Sequence, residues 1–244
     1  MPAKFCLLIV MTFAVAVTLN DRSQEKNQPA VKISGLWREH GIIDIHAHIG
    51  SFKGYDLSTP TLLSNIERYG IRLALISNID GAELSQTLNL DEIKTNQATV
   101  EHVRKYPNKL RGLVWARPKD GTPANIEPFL KDSIATGPRQ RVFVGMKFHP
   151  DMNHFPADDP RVDGYLQLCE KYGIPAVFHS GSDDTSNSTP QKIYAGARRH
   201  PTVPIILYYK QYEAMITRLQ KELAAEDFAK VVRGNAERLF RLGF

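Results

Sequence analysis

The sequence predicts an α/β fold of the (β/α) barrel type, and three observations carry that expectation. From Gly41 onward, short apolar runs alternate with helical stretches, and nearly continuous apolar strands mark a parallel sheet covered on both faces. Polar residues gather at the C-terminal ends of those runs, where His48, Lys147, His149 and His179 stand, as a barrel with one active mouth requires. No glycine-rich strand-to-helix turn follows the first run, which counts against an open dinucleotide-binding sheet.

The N-terminus is a separate object. Lys4 precedes the apolar stretch Phe5 to Val17, and Ala14-Val15-Ala16 offers the small-x-small pattern read by signal peptidase, so residues 1–19 read as a signal peptide or an N-terminal extension. The stretch is too short to span a bilayer comfortably. Use of the signal places the protein in the periplasm or outside the cell; the alternative is cytoplasmic. Residues 20–40 read as a polar linker and residues 41–244 as the barrel domain. Signal cleavage removes Cys6 and leaves Cys169, which sits amid Leu166, Leu168 and Tyr172 and reads as a packed core thiol.

Strands are expected at Ile42 to His48, Arg72 to Ser77, Leu110 to Ala116, Val142 to His149, Pro175 to His179 and Val203 to Tyr208. Between them, Ser58-Thr59-Pro60 supplies a cap and a first-turn proline for a helix ending at Gly70. A second helix, Asn89 to Tyr106, begins with Asp91 and Glu92 and ends with Arg104 and Lys105, matching the helix dipole. Pro160 to Tyr172 and Thr189 to Arg199 read as helices, and Tyr212 to Phe244 holds no strand pattern.

At 244 residues, with 42% hydrophobic and 23% charged residues, the chain has apolar mass for one core, which excludes disorder throughout. The net charge of +5 is dispersed, with no run of five basic residues, so no nucleic-acid partner is expected.

The chemistry concentrates in Asp44-Ile45-His46-Ala47-His48. Alternate residues of a strand share a face, so the two imidazoles project together, about 7 Å apart at their Cα atoms. That spacing lets both rings hold one ion, and zinc and its neighbours accept neutral imidazole. The plainer alternative is a pair of strand histidines satisfied by hydrogen bonds. Alternation puts Asp44 on the same face, where its carboxylate would support the ligands. His102, His154 and His200 read as surface residues, with His154 able to line the mouth, and Trp115 as core at a strand end or a substrate contact.

In these blocks the sequence resembles the amidohydrolase superfamily, in its amidohydrolase-related branch of metal-dependent hydrolases and decarboxylases. Asp44 to His48 is similar to that family's first-strand motif, Gly145-Met146-Lys147-Phe148-His149-Pro150 to its fourth-strand block, and Phe178-His179-Ser180-Gly181 to its fifth-strand histidine. Arg233 to Phe240 resembles the helix with which many members finish. The resemblance implies His46, His48 and His179 as ligands of a divalent metal, zinc being the ion expected. It implies a small-molecule substrate whose amide, lactone or ester carbonyl is attacked by activated water, with decarboxylation as a related chemistry. Asp44, Lys147 and His149 are then substrate or supporting residues. A strand-four lysine can be carbamylated in relatives, but Lys147 is better read as an ammonium facing a substrate carboxylate or Asp44.

Departures from the family pattern set a second expectation. Tyr209 stands where a strand-six histidine is expected, and Asp227, in a helical stretch, is no match for the catalytic aspartate of strand eight. The barrel is therefore expected to be incomplete, with about six strands instead of eight, through an internal deletion near the C-terminus. An open edge of this kind exposes unpaired backbone groups and could pair with a second copy of the chain. Asp183 and Asp184 are weak candidates for the missing catalytic carboxylate, in a setting that reads as a capping loop. The alternative function is a noncatalytic, truncated barrel that at most binds metal.

Overall fold

All six expected strands form, and they run parallel in the order of the chain. The computed structural model describes residues 41–52, 55–79, 92–132, 141–180, 186–208, 224, 226 and 235–242. The signal-like segment 1–19, the linker 20–40, Asp183, Asp184, Tyr209 and Asp227 lie outside the described residues.

The first strand, β1 (Ile42–Phe52), turns back into the short antiparallel β2 (Tyr55–Leu57), and helix α1 (Thr59–Arg68) leads to β3 (Ile71–Asn78). Helix α2 (Glu92–Lys105) precedes β4 (Leu110–Ala116), and α3 (Pro123–Leu130) precedes β5 (Phe143–Phe148). A 3-10 turn at Pro160–Val162 opens α4 (Asp163–Tyr172), followed by β6 (Ala176–His179), α5 (Pro190–Ala197), β7 (Ile205–Tyr208) and the closing α6 (Asn235–Phe240). The sheet order is β2-β1-β3-β4-β5-β6-β7. Each parallel strand lies beside its predecessor with no reversal, which is the winding of a barrel and not of a doubly wound sheet. Among the described residues the sheet is open, ending at β2 on one side and β7 on the other.

Local chemistry accounts for the element ends. Ser58 caps α1 by accepting from the Thr61 amide, and Thr189 caps α5 by accepting from the Lys192 amide. Gly173 ends α4 in the left-handed region at φ 60, where a side chain would be strained. Two expectations are corrected. Helix α3 was not expected, although Thr122-Pro123 is a helix start; its internal Pro128 masks the pattern. Strand β1 continues past His48 to Phe52, because Gly50 at φ 109 admits the hairpin that pairs Gly50 to Phe52 with β2.

The two faces of the sheet have separate cores. The helix side packs Ala74, Ile76, Val114, Met146, Phe148 and Phe178 against residues such as Val103, Leu166 and Cys169. Cys169 is a buried thiol whose sulfur lies 3.8 Å from that of Met146, and burial holds its proton firmly in place. The inner side forms a smaller floor of Ile43, Ile45, Leu73, Leu75, Val177 and Ile206, closed from below by Phe240 of α6.

Register shifts change which residues share a face. Ile43 pairs with Leu73 and Asp44 with Ala74, but Ala47 already pairs with Ile76, so β1 carries one extra residue between Asp44 and Ala47. Asp44 is thereby in register with the helix-side Ala74, while His48 pairs with Ser77 on the inner side. Another shift, between the pairs Gly112–Phe143 and Leu113–Gly145, sets Lys147 opposite Trp115.

Candidate metal centre

Above the apolar floor, the C-terminal ends of the strands deliver polar and aromatic groups to the inner face. From β1 come His46 and His48, from β3 Ser77, from β4 Trp115, from β5 Lys147 and His149, and from β6 His179. This is the layer in which barrel folds place their chemistry.

The His46 and His48 rings meet edge to face with centroids 4.6 Å apart, and their Nε2 atoms are separated by 3.0 Å. Two nitrogens on a tetrahedral ion at about 2.05 Å would stand about 3.3 Å apart, so the pair is close to ligand spacing. The Nδ1 atom of His48 donates to the carbonyl oxygen of Ser77 at 3.2 Å, which leaves the Nε2 lone pair for a ligand. Burial, followed by the Lys147 charge, brings His48 down to about 3 and holds His46 well below the usual imidazole range. Both rings therefore stay neutral at physiological pH, the state a metal ligand requires. The donor set fits a divalent cation.

Lys147 is fully buried, and burial lowers its ammonium to about 7. It lies on the inner face, while Asp44 pairs in register with the helix-side Ala74. The Asp44 carboxylate instead accepts from the backbone amide of His46 at 2.9 Å, shaping the extra residue of the strand.

His179 and His149 stack face to face, with centroids 3.9 Å apart and planes 14° from parallel. Trp115 stacks with His149 at 6.3 Å and meets the His48 ring at 6.2 Å. Burial and the neighbouring His179 and Lys147 charges hold His149 well below the usual imidazole range. The His179 charge acts on His46 as well, which ties β6 to β1 electrostatically.

Asp151 was not anticipated. A donor atom of His149, one of Asp151 and one of His179 all lie within 4.8 Å of one another. The sequence signal was His149-Pro150-Asp151, with the same two-residue spacing as the histidine pair, but the expected loop after β5 gave no reason to place it inside. Trp115 is a core residue with no exposed surface, the first of its two expected readings, and its ring meets that of His48 in this layer.

The other histidines belong to other neighbourhoods. His102 contacts the Ala98 carbonyl through Nδ1, and His154 is exposed. His200 is buried, contrary to the surface position expected, because Asp163 at 3.3 Å and Glu170 at 3.4 Å flank its ring.

Residues 43–208, well over half of the chain, match the amidohydrolase family. The chain belongs to that family. No curated protein sequence matches it. Among solved structures, this amidohydrolase is similar to a 5-carboxyvanillate decarboxylase from Novosphingobium aromaticivorans, solved with manganese and 3-methoxy-4-hydroxy-5-nitrobenzoic acid. The identity is 12% and the TM-score 0.59, over 86% of this chain and 99% of that one. It is also similar to a 4-oxalomesaconate hydratase from Rhodopseudomonas palustris, at 11% identity and TM-score 0.55, over 82% and 96% of the two chains. A TIM-barrel protein from Bordetella bronchiseptica aligns at 14% identity and TM-score 0.52, over 83% and 99%. These likenesses establish a barrel-type fold. The chain spans 67% and 65% of the length of two further decarboxylases that it matches.

Proposed function

We propose that this protein is a metal-dependent enzyme that acts on a carbonyl carbon of a small molecule, hydrolysing an amide, lactone or ester. The observation that carries the reading is the His46–His48 pair, with facing Nε2 atoms at 3.0 Å and the His48 tautomer held by Ser77. In this reading His46, His48 and His179 hold the ion. When bound, a divalent cation supplies Lewis acidity toward a carbonyl or carboxylate oxygen and acidifies water. The chain's own part is to keep the His46 and His48 imidazoles neutral in a water-poor layer and to orient the substrate against Trp115 and His149.

Decarboxylation is the second reading, and Lys147 favours it. A buried amine among imidazoles suits a substrate that brings its own carboxylate, since that charge would restore the ammonium form and pin the substrate. The likeness to a decarboxylase supports this at the level of fold alone. Zinc is the ion expected from imidazole donors, and manganese is the ion held by that similar decarboxylase.

Metal analysis of the purified chain, together with turnover of a panel of lactones, esters, amides and hydroxybenzoates with and without chelator, tests the proposal. Chelator-sensitive hydrolysis supports the first reading, and chelator-sensitive CO2 release supports the second. Stoichiometric metal without turnover of any panel member replaces both with a noncatalytic metal-binding barrel.

A further inference from the structure

We infer that Phe52 and Leu57, carried by the β1–β2 hairpin, form with Met152 the specificity wall of the metal centre, and that this wall selects a substrate with an apolar, ring-sized group beside its reacting carbonyl. The inference rests on the reading of that centre as the reaction site given above.

Strand geometry sets the wall beside the histidine pair. Residues two apart on a strand share a face, so β1 presents His46, His48, Gly50 and Phe52 in one file. The hairpin pairs Leu57 with Gly50, and directly opposed residues of an antiparallel ladder point the same way. Leu57 is thereby brought to the side of the two histidines, and the glycine leaves the surface between His48 and Phe52 without a side chain of its own. Packing agrees with this placement. Phe52, Leu57 and Met152 are half-buried, and all three lie against the buried cluster of Ile79 and Trp115. Trp115 in turn meets the His48 ring at 6.2 Å.

The wall is held from behind. Asp56 alternates to the other face of β2, where its carboxylate accepts from the Ser58 amide at 3.0 Å and from the Thr61 hydroxyl at 2.5 Å, fastening the hairpin to the start of α1. Met152 is held through its neighbour Asn153, whose amide donates to the His149 carbonyl at 3.0 Å and whose Oδ1 accepts from the Trp115 indole at 3.1 Å. A hairpin pinned in this way presents a fixed surface, which selection by shape requires.

Access and chemistry decide the occupant. In the inner layer His48, His149 and His179 are partly exposed, whereas His46, Lys147 and Trp115 are buried. A small molecule that reaches the histidine pair therefore arrives over imidazoles, with Phe52, Leu57 and Met152 alongside His48. A polar group pressed against these three side chains loses its water with no hydrogen bond in return. An apolar ring or branched alkyl group covers their half-exposed surface and gains by burial. The metal-directed chemistry needs only a carbonyl; the hairpin specifies what stands next to it.

The test uses the full chain loaded with Zn2+ and takes benzoate, cyclohexanecarboxylate and acetate as probes. Probe binding is read by calorimetry, and Zn2+ affinity by competition with a chromophoric chelator, in wild type, Phe52→Ala, Leu57→Ala and His46→Ala. Wild type is expected to hold both ring-bearing probes about ten-fold or more tightly than acetate. Phe52→Ala and Leu57→Ala are each expected to cut that preference by about five-fold, with acetate and Zn2+ affinities within about three-fold of wild type. Wild type without a preference for the ring-bearing probes, a preference that both variants keep, or equal weakening of all probes would overturn the inference while leaving the cation site standing. Absence of Zn2+ binding by wild type, or Zn2+ binding untouched by His46→Ala, would overturn the reading of the centre and this inference together. Should Phe52→Ala fail to fold by circular dichroism, Leu57→Thr, which keeps a branched strand residue, joins Leu57→Ala: it is expected to cut the preference by a similar factor, and an unchanged preference would overturn the assignment.

Discussion

Gly145 of β5 and Phe240 of α6 stand so close that a Cβ on the glycine would lie 2.9 Å from the phenyl ring. The closing helix is thus seated on the floor of the inner face, directly beneath the layer that holds Lys147 and the histidines.

That seat predicts a graded stability series. Gly145→Ala is expected to cost about 1–3 kcal/mol by overpacking, and Phe240→Ala about 3–5 kcal/mol by leaving a cavity. In the double variant the small ring-side residue makes room for the new methyl, so the two costs should add to less than their sum. Urea denaturation of the four proteins measures it, and strict additivity would contradict the contact.

Asn96 predicts a second effect. Its Oδ1 accepts from the Trp115 amide at 2.8 Å and its Nδ2 donates to the Trp115 carbonyl at 3.0 Å, so a helix side chain holds both backbone groups at the end of β4. Asn96→Ala strands those buried groups and is expected to destabilise by about 1–3 kcal/mol. Because Trp115 carries the wall of the metal centre, its fluorescence should shift in the folded variant.

Glu92 and Lys147 should contribute to the stability of the metal-free protein with opposite pH dependence, against a rise toward neutral pH set by the lowered His46, His48 and His149. Glu92 accepts from the Arg117 amide and the Tyr165 hydroxyl, yet burial outweighs these bonds and pushes its carboxyl up from 4.5 to about 7. Between those values the folded chain keeps a proton on Glu92 that the unfolded chain has lost, so this group's contribution to stability falls as pH rises, by an amount on the order of 3 kcal/mol. Lys147 acts with the opposite sign. From about 7 to 10.5 the unfolded chain keeps the proton that the folded one has lost, so stability rises with pH. Denaturation of wild type and single variants across about pH 4 to 11 isolates the two contributions. Relative to wild type, Glu92→Gln should steepen the rise of stability toward neutral pH and Lys147→Met should flatten the alkaline rise.

Metal removal gives the fourth prediction. A cation that binds the folded chain alone raises its stability by about 4 kcal/mol at a thousand-fold excess over Kd. Chelator should therefore lower the melting temperature of wild type but leave that of His46→Ala and His48→Ala unmoved. Equal chelator sensitivity in all three would argue against the histidine pair as the site.

The positions of the six parallel strands are legible in the sequence because runs such as Leu110 to Ala116 are apolar on both faces, which suits a covered parallel strand and little else. The pairing of His46 with His48 is legible for a related reason: residues two apart stay on one face wherever no extra residue intervenes. Helix α3 is hidden by Pro128, and the hairpin beyond Ile49 depends on the glycine at position 50 taking a positive φ, a choice that periodicity does not reveal.

By itself, then, the sequence determined the parallel winding, the apolar floor and the imidazoles that close the strands, because these follow from local periodicity and from burial of nonpolar runs. Tertiary structure alone decided the faces of Asp44 and Lys147 and the inward placement of Asp151. Those depend on register with a neighbouring strand and on clamps from Trp115 and Ser188, which are separated from Asp151 by 36 and 37 positions along the chain. One inserted residue reverses every side chain beyond it, and only the partner strand shows where the insertion falls.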